Sequence, residues 1–440
     1  MTKNGKMKKL IIMSMVASSI LLASNVDGLK IDQENAVERT QLNSVKISQG
    51  ETEILENADV SDLSIGKKDE GNLIDDTLIN TTGAVDVAHP TFDDEPYNIN
   101  NRKTMITQGR TTVVDGKMDT AKIESDSTID NATIQAFGLD TLEIDQGFTL
   151  VQGDGQELTD AKITSDNTIA NVDIEGGYGR GTKIKQGNFL MLDEGDASEA
   201  DDINIDTTNI IDGGKIGQAD IKQAVTQLTE GAVAENFDVL QHNTIEGDTE
   251  IKDFAEISQG VTSIKNAKIS KLEQNVNNVI SDVTGDSSSA VDSKIKQADI
   301  YVRDNSDISL VYDSHTNTMR NTDLVDSTVT QDTVYAADGS IVRNFTQQAD
   351  NSVVNVTADN STIKQNALLI NNSTLDGRES SVSKQNNEVR GSDLVDSYLA
   401  QASINIKDSK VIDLSVSEDN RVDDSSFRNA ILTQGRLAVR

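Results

Sequence analysis

The chain has no cysteine and no tryptophan, two prolines in 440 residues, and aromatic side chains at only 3 %. Without cysteine there are no disulfides, thiolate metal sites, cysteine nucleophiles or cysteine-borne lipid anchors. With only Pro90 and Pro96 present, almost every residue keeps the backbone donor that a continuous strand ladder needs. The shortage of large rings argues against a wide globular interior and against sugar-stacking platforms. Basic residues are also scarce. The balance of 39 Lys and Arg against 73 Asp and Glu gives a net charge of −34, which disfavours nucleic acid and anionic lipid surfaces as partners. No helical hydrophobic period extends beyond two turns.

What is present is a repeated phrase, apolar-x-Gln-Gly/Ala-x-apolar-x-apolar-x-Asp/Asn, running from Ile106 to the C-terminus. Its glutamines are Gln108, Gln146, Gln186, Gln223, Gln259, Gln297, Gln331, Gln365, Gln401 and Gln434, spaced by 33 to 40 residues. A period near 36 marks stacked supersecondary units. Identity recurs as well: AKIESDSTIDN at 121–131 returns as AKITSDNTIAN at 161–171. High polarity and charge are also the composition of a disordered chain, but such chains rarely hold an apolar residue in register with a Gln over ten units.

Within the phrase, the apolar residue two positions before Gln shares its strand face, as Ile106 does for Gln108 and Ile184 for Gln186. A small residue follows, such as Gly109, Gly147 or Ala298, and suits a bend. Alternation then resumes, as in Ile300/Val302 and Leu368/Ile370. It stops at Asp115, Asp193, Asn266, Asp304, Asp338, Asn372 or Asp408, residue types that favour turns by bonding their own backbone. Asn131 and Asn171, with Ile129 and Ile169 before them, read as an intermediate rung, and Gln348 and Gln385 halve the spacing near the C-terminus. The expectation is an all-β, parallel β-solenoid of about 18-residue coils, two coils per repeat, stacked at about 4.8 Å. Inward glutamines Gln108, Gln146, Gln186, Gln259, Gln297, Gln331, Gln365, Gln401 and Gln434 would then form an amide ladder that locks register.

Lys3, Lys6, Lys8 and Lys9 precede an apolar stretch from Leu10 to Ala23, too short to span a bilayer and typical of a secretory signal. Residues 1–23 are therefore expected to be a signal peptide, 24–100 an irregular segment with the linker AHPTFDDEP, and 101–440 the solenoid. The protein is expected to be secreted, extracellular or at the cell surface, without a transmembrane anchor.

Enzyme chemistry is sparse. His89, His242 and His315 are scattered and read as exposed loop residues, and no zinc-protease, P-loop, dinucleotide or nucleophile-elbow motif occurs. No catalytic residue, cofactor or metal ligand is assigned. Acidic clusters, DASEADD at 196–202 and the run around Asp154, leave Ca²⁺ open as a ligand, although turn formation and solubility explain them better.

STVTQD, STIKQN, SKIKQA and KTMITQG resemble the curlin repeat, in which Ser, an apolar-x-Gln step, a bend and a returning strand build one coil of an extracellular amyloid fibre. The resemblance implies an exported subunit that adds end to end through inward Gln and Asn ladders in a biofilm matrix. The Gly two positions after Gln that curlins carry is missing here, and the following Asn is irregular. The last unit, AILTQGRLAVR, stops before its corner, so an incomplete coil is expected there. Unpaired strand edges invite another chain, and head-to-tail contacts that do not close give filaments. The reading is a self-assembling structural protein, with a cell-surface or matrix partner possible. The alternatives are a solenoid adhesin for glycans or Ca²⁺ and a polysaccharide-active β-helix enzyme.

Overall fold

The chain winds into a parallel β-solenoid in a computed structural model. It describes residues 16–22, 25–27, 30–38, 41–43, 46–55, 59–61, 64–75, 78–80, 103–114, 116–135, 141–153, 157–175, 182–193, 199–229, 231–283, 290–291 and 293–440. Among them there is no helix, and strands pair in parallel with the equivalent strand about 36 residues away. Ile123 faces Ile163, Ile163 faces Ile205 and Ile205 faces Val239. This register places like residues over like, which is why the sequence repeats.

The turn is therefore one full repeat, and the expected 18-residue coil is half of it. The two halves face each other across the interior instead of stacking. Their similar apolar spacing arises because both walls must point alternate residues into one core.

One turn shows how sequence dictates path. The strand Lys294–Gln297 ends at Ala298, which is left-handed at φ 56°, and Ile300–Arg303 follows. Asp304 and Asn305, both at positive φ, turn the corner into Asp307–Ile308. The long strand Val311–Arg320 forms the opposite wall, alternately buried and exposed. Asn321 then turns the chain into Asp323–Val325, and Asp326 returns it to the next copy. Asn266, Asp338, Asn372 and Asp408 are left-handed like Asp304, a conformation Asn and Asp tolerate through local hydrogen bonding. Asp193 ends the strand Phe189–Asp193, and Asp115 lies outside the described residues.

Asn131 and Asn171 are exposed, left-handed corner residues and form no interior rung. Asn131 bonds the Asp130 carboxylate instead. Gln348 is exposed while its neighbour Gln347 points inward, because a shift of one residue along a strand reverses the face.

The interior holds two separate apolar columns. One contains Ile106, Ile144, Ile184 and their successors two residues before each Gln, together with Ile129, Ile169 and Ile211 from the opposite wall. The other contains the residues after the bend, such as Val151, Met191 and Ile264, with Ile123, Ile163 and Phe237 opposite.

The solenoid reaches toward the N-terminus. Lys46–Leu55 pairs with Lys103–Gln108 and Thr111–Val114, setting Gln49 in register with Gln108. The AHPTFDDEP linker between them lies outside the described residues. Val16–Leu22, within the expected signal segment, pairs with Lys46–Leu55.

Glycine is required after Gln where the opposite wall approaches. A Cβ on Gly147 would sit 2.6 Å from Asn167 Oδ1, and the residue is left-handed at φ 59°. Gly147→Ala is expected to lower stability by about 2–4 kcal/mol, combining left-handed strain with overpacking. Ala402→Gly, at the equivalent position, should change it by less than about 1 kcal/mol. Denaturant titration of both variants measures the contrast.

Candidate functional site

Each ladder Gln follows an apolar residue by two positions, so strand alternation turns it inward; it ends its strand from Gln108 to Gln297 and lies within a longer strand at Gln331, Gln365, Gln401 and Gln434. Gln108, Gln146, Gln186, Gln223, Gln259, Gln297, Gln331, Gln365 and Gln401 are buried, whereas Gln434 in the last turn is exposed. From Gln108, which donates to Gln49, to Gln434, every Nε2 donates to the Oε1 of the preceding ladder Gln at 2.7 to 3.0 Å. The same amide groups also donate to backbone carbonyls of the facing wall at 3.1 to 3.5 Å, for example Gln146 to Ser127 and Thr168. This second bond fixes the amide orientation, because a flipped amide would set oxygen against oxygen.

The facing wall carries a ladder that the glutamine phrase does not reveal. Asn167, Asn209, Asn243, Asn278, Asn317, Asn351, Asn387 and Asn420 are linked Nδ2 to Oδ1 at 2.8 to 3.2 Å. Each donates to the following Asn, so its amides point opposite to those of the glutamines. The two lines of dipoles are thus antiparallel across the seam. A signal existed in the chain: each Asn precedes a buried Ile, Met or Val by two positions from Ile169 to Val389.

Charge lies beside the unbroken seam at one level. His315, expected on an exposed loop, is fully buried on the long strand Val311–Arg320. Strand alternation explains this, since the register places His315 between inward-facing Val276 and Ala349. Its polar neighbours Ser314 and Thr316 point outward. His242 is exposed, and His89 lies outside the described residues.

The His315 Nε2 is paired with Asp313, and its Nδ1 lies 3.2 Å from Asp332 Oδ1. Asp332 occupies the small-residue position after Gln331 and is left-handed at φ 62°. Burial alone disfavours the imidazolium, but the adjoining Asp313 carboxylate outweighs it and, with Asp332, raises the ring's pKa. Burial in turn pushes the Asp313 carboxyl up, against the opposing pull of His315.

Another buried carboxyl, Asp299, lies one turn before Asp332, at the position following Ala298. It accepts from Thr333 N–H at 2.8 Å, Tyr301 hydroxyl at 2.9 Å and Thr330 hydroxyl at 3.0 Å. Burial dominates these bonds and raises its pKa to about 6. Burial and the nearby Asp299 also push the Tyr301 phenol up.

Among the described residues, Asp313, His315 and Asp332 are the group of three whose ligating atoms converge, within 4.8 Å of one another. The acidic run at 196–202 is only partly described, and Asp154 lies outside the described residues. No described helix is long and apolar enough to cross a membrane.

No family model matches the chain, and neither the curated proteins nor the solved structures give a match. What the geometry shows is a parallel β-solenoid with stacked Gln and Asn ladders, as in curlin-like folds.

Two outcomes follow. Gln331→Leu leaves Gln297 Oε1 and Gln365 Nε2 without their ladder partner and should cost about 2–4 kcal/mol. Replacing Gln297, Gln331 and Gln365 together by Leu should cost less than three times that amount, because orphans remain only at the ends of the gap. Denaturation of both variants compares the two values.

For Asp299, the folded-state pKa is raised above the usual 3.8. Its contribution is fully present below pH 3.8 and is lost as pH rises through about 6. The shift corresponds to as much as about 3 kcal/mol. Asp299→Asn should flatten this part of the stability–pH curve, measured by thermal unfolding between pH 4 and 8.

Proposed function

We propose that the chain is an exported structural protein whose solenoids add end to end into a fibre or matrix, in the manner of curlins. The observation that carries this reading is the pair of side-chain ladders, through which each turn offers the next the same row of amide partners. In the last turn the strand Ile431–Val439 continues the parallel ladder and the glutamine column, yet Ile431, Leu432, Leu437 and Val439 are 62 %, 42 %, 65 % and 67 % exposed. The equivalent residues one turn earlier include Leu399, which is fully buried. An exposed apolar strand edge in register with a buried one is a template for a further strand.

The opposite end offers a complementary edge. Val16–Leu22 covers Lys46–Leu55, with Ala17 in the column that Gln49 begins. Removal of residues 1–23 during export would take that strand away and leave Lys46–Leu55 to receive the last turn of another copy. The contact is heterologous and open, so it propagates as a filament. The negative surface opposes lateral clumping and favours growth along the axis. We propose a structural role rather than a catalytic one, since Asp299, Asp313, His315 and Asp332 are buried out of a substrate's reach.

A chain beginning at residue 24 should form concentration-dependent fibres with a meridional reflection at about 4.8 Å. Replacing Leu437 and Val439 together by Glu should leave the circular dichroism unchanged and abolish fibres. A wild-type chain that stays monomeric at all concentrations would contradict the proposal.

A further inference from the structure

Among the described residues, the columns that pass through the Asp313 level hold one other ionisable side chain, the half-buried Glu418 two turns beyond Ala349. The strand neighbours of Asp313 are Gln274 and Gln347, those of His315 are Val276 and Ala349, and Asp332 stands where other turns place Gly260, Ala298 or Ala402. Three ionisable residues from three different columns thus converge, fully buried, at one level, where the neighbouring turns keep those columns neutral. Burying them carries a desolvation cost that neutral residues at the same positions avoid.

The hydrogen bonding around the cluster is incomplete in an informative way. Asp332 Oδ1 accepts from Gln347 Nε2 at 2.7 Å and lies 3.2 Å from His315 Nδ1. That contact orients the ring and leaves Nε2 toward Asp313, with Gln274 Nε2 at 3.3 Å. Asp313 Oδ2 and Asp332 Oδ2 are buried without a hydrogen-bond partner. Asp313, His315 and Asp332 each present a ligating atom, all within 4.8 Å of one another.

We propose that Asp313, His315 and Asp332 form an interior site for a divalent transition-metal ion of the Zn²⁺ class. Two carboxylates and a neutral imidazole match the charge of such an ion. The nitrogen donor selects against Ca²⁺ and Mg²⁺, which prefer all-oxygen shells. The ion takes the place of the proton shared between His315 Nε2 and Asp313, and Asp332 Oδ2 supplies a further oxygen. Because the residues are fully buried, the ion enters as the turns close, so binding is coupled to folding. In a stack with no disulfide, it ties the long wall at Asp313 and His315 to the returning strand at Asp332.

The test uses the full chain, unfolded in denaturant with chelator and refolded with Zn²⁺ or Co²⁺, then desalted. Elemental analysis should find one ion retained per chain, the Co²⁺ form should show ligand-field absorption, and the thermal midpoint should rise over metal-free refolded protein. The variant carrying Asp313→Asn, His315→Gln and Asp332→Asn should retain no ion, and His242→Gln, at an exposed histidine, should retain it as wild type does. A wild-type chain that refolds yet retains no metal and gives no Co²⁺ spectrum would overturn the proposal. The cluster would then be an imidazolium closed by two carboxylates. That result would leave the assembly proposal standing, because fibre formation reads the last turn and not this level.

Discussion

An amide buried in a protein must find partners for two donors and an oxygen, and in this solenoid it finds them one repeat above, one repeat below and across the interior. The Gln column does all three, with the preceding Gln, the following Gln and a facing carbonyl. Each such bond contributes only about 1 kcal/mol net, but leaving one unmade inside costs about 1–3 kcal/mol. The asymmetry makes the seam a device for register. A turn that slipped by one residue would lose apolar burial and orphan its amides together, so mispaired turns are disfavoured twice.

The seam also explains why the interior can be narrow, with few large rings. Gln from one wall and Asn from the other fill the middle, leaving two thin aliphatic columns on either side. Such columns are built mostly of Ile, Val, Leu and Ala, with Phe189, Phe237 and Phe345 in one of them. The bend after each Gln brings the walls together, and glycine appears where the Asn ladder is closest. Charge enters this neutral interior around Asp299 and at the Asp313 level, where neutral residues would be less costly. That local cost is what singles out the cluster as more than a packing element.

The period, the strand–bend–strand path and the inward direction of Gln108 through Gln401 were readable because identical residues stack on one another and the phrase is long enough to align. The size of the turn was not. Both walls show apolar residues at similar spacing, and a single chain does not distinguish a short coil from half of a long one. The Asn ladder was overlooked because Asn also makes corners, and Asn171 at a corner stands only four positions from Asn167 in the seam. His315 was misplaced for a related reason. Its neighbours in sequence are polar, and only the strand phase, fixed by partners above and below, decides that His315 faces in and Ser314 faces out.

The central claim is that the glutamine amides are bonded in a continuous interior ladder, and side-chain amide hydrogen exchange tests it most directly. In protein labelled selectively at glutamine, the Nε2 protons of the buried ladder residues should exchange as slowly as the backbone amides of their strands, while those of exposed Gln348 exchange at the rate of a free side chain. Fast exchange at Gln259, Gln297 and Gln331 in a folded chain would contradict the account.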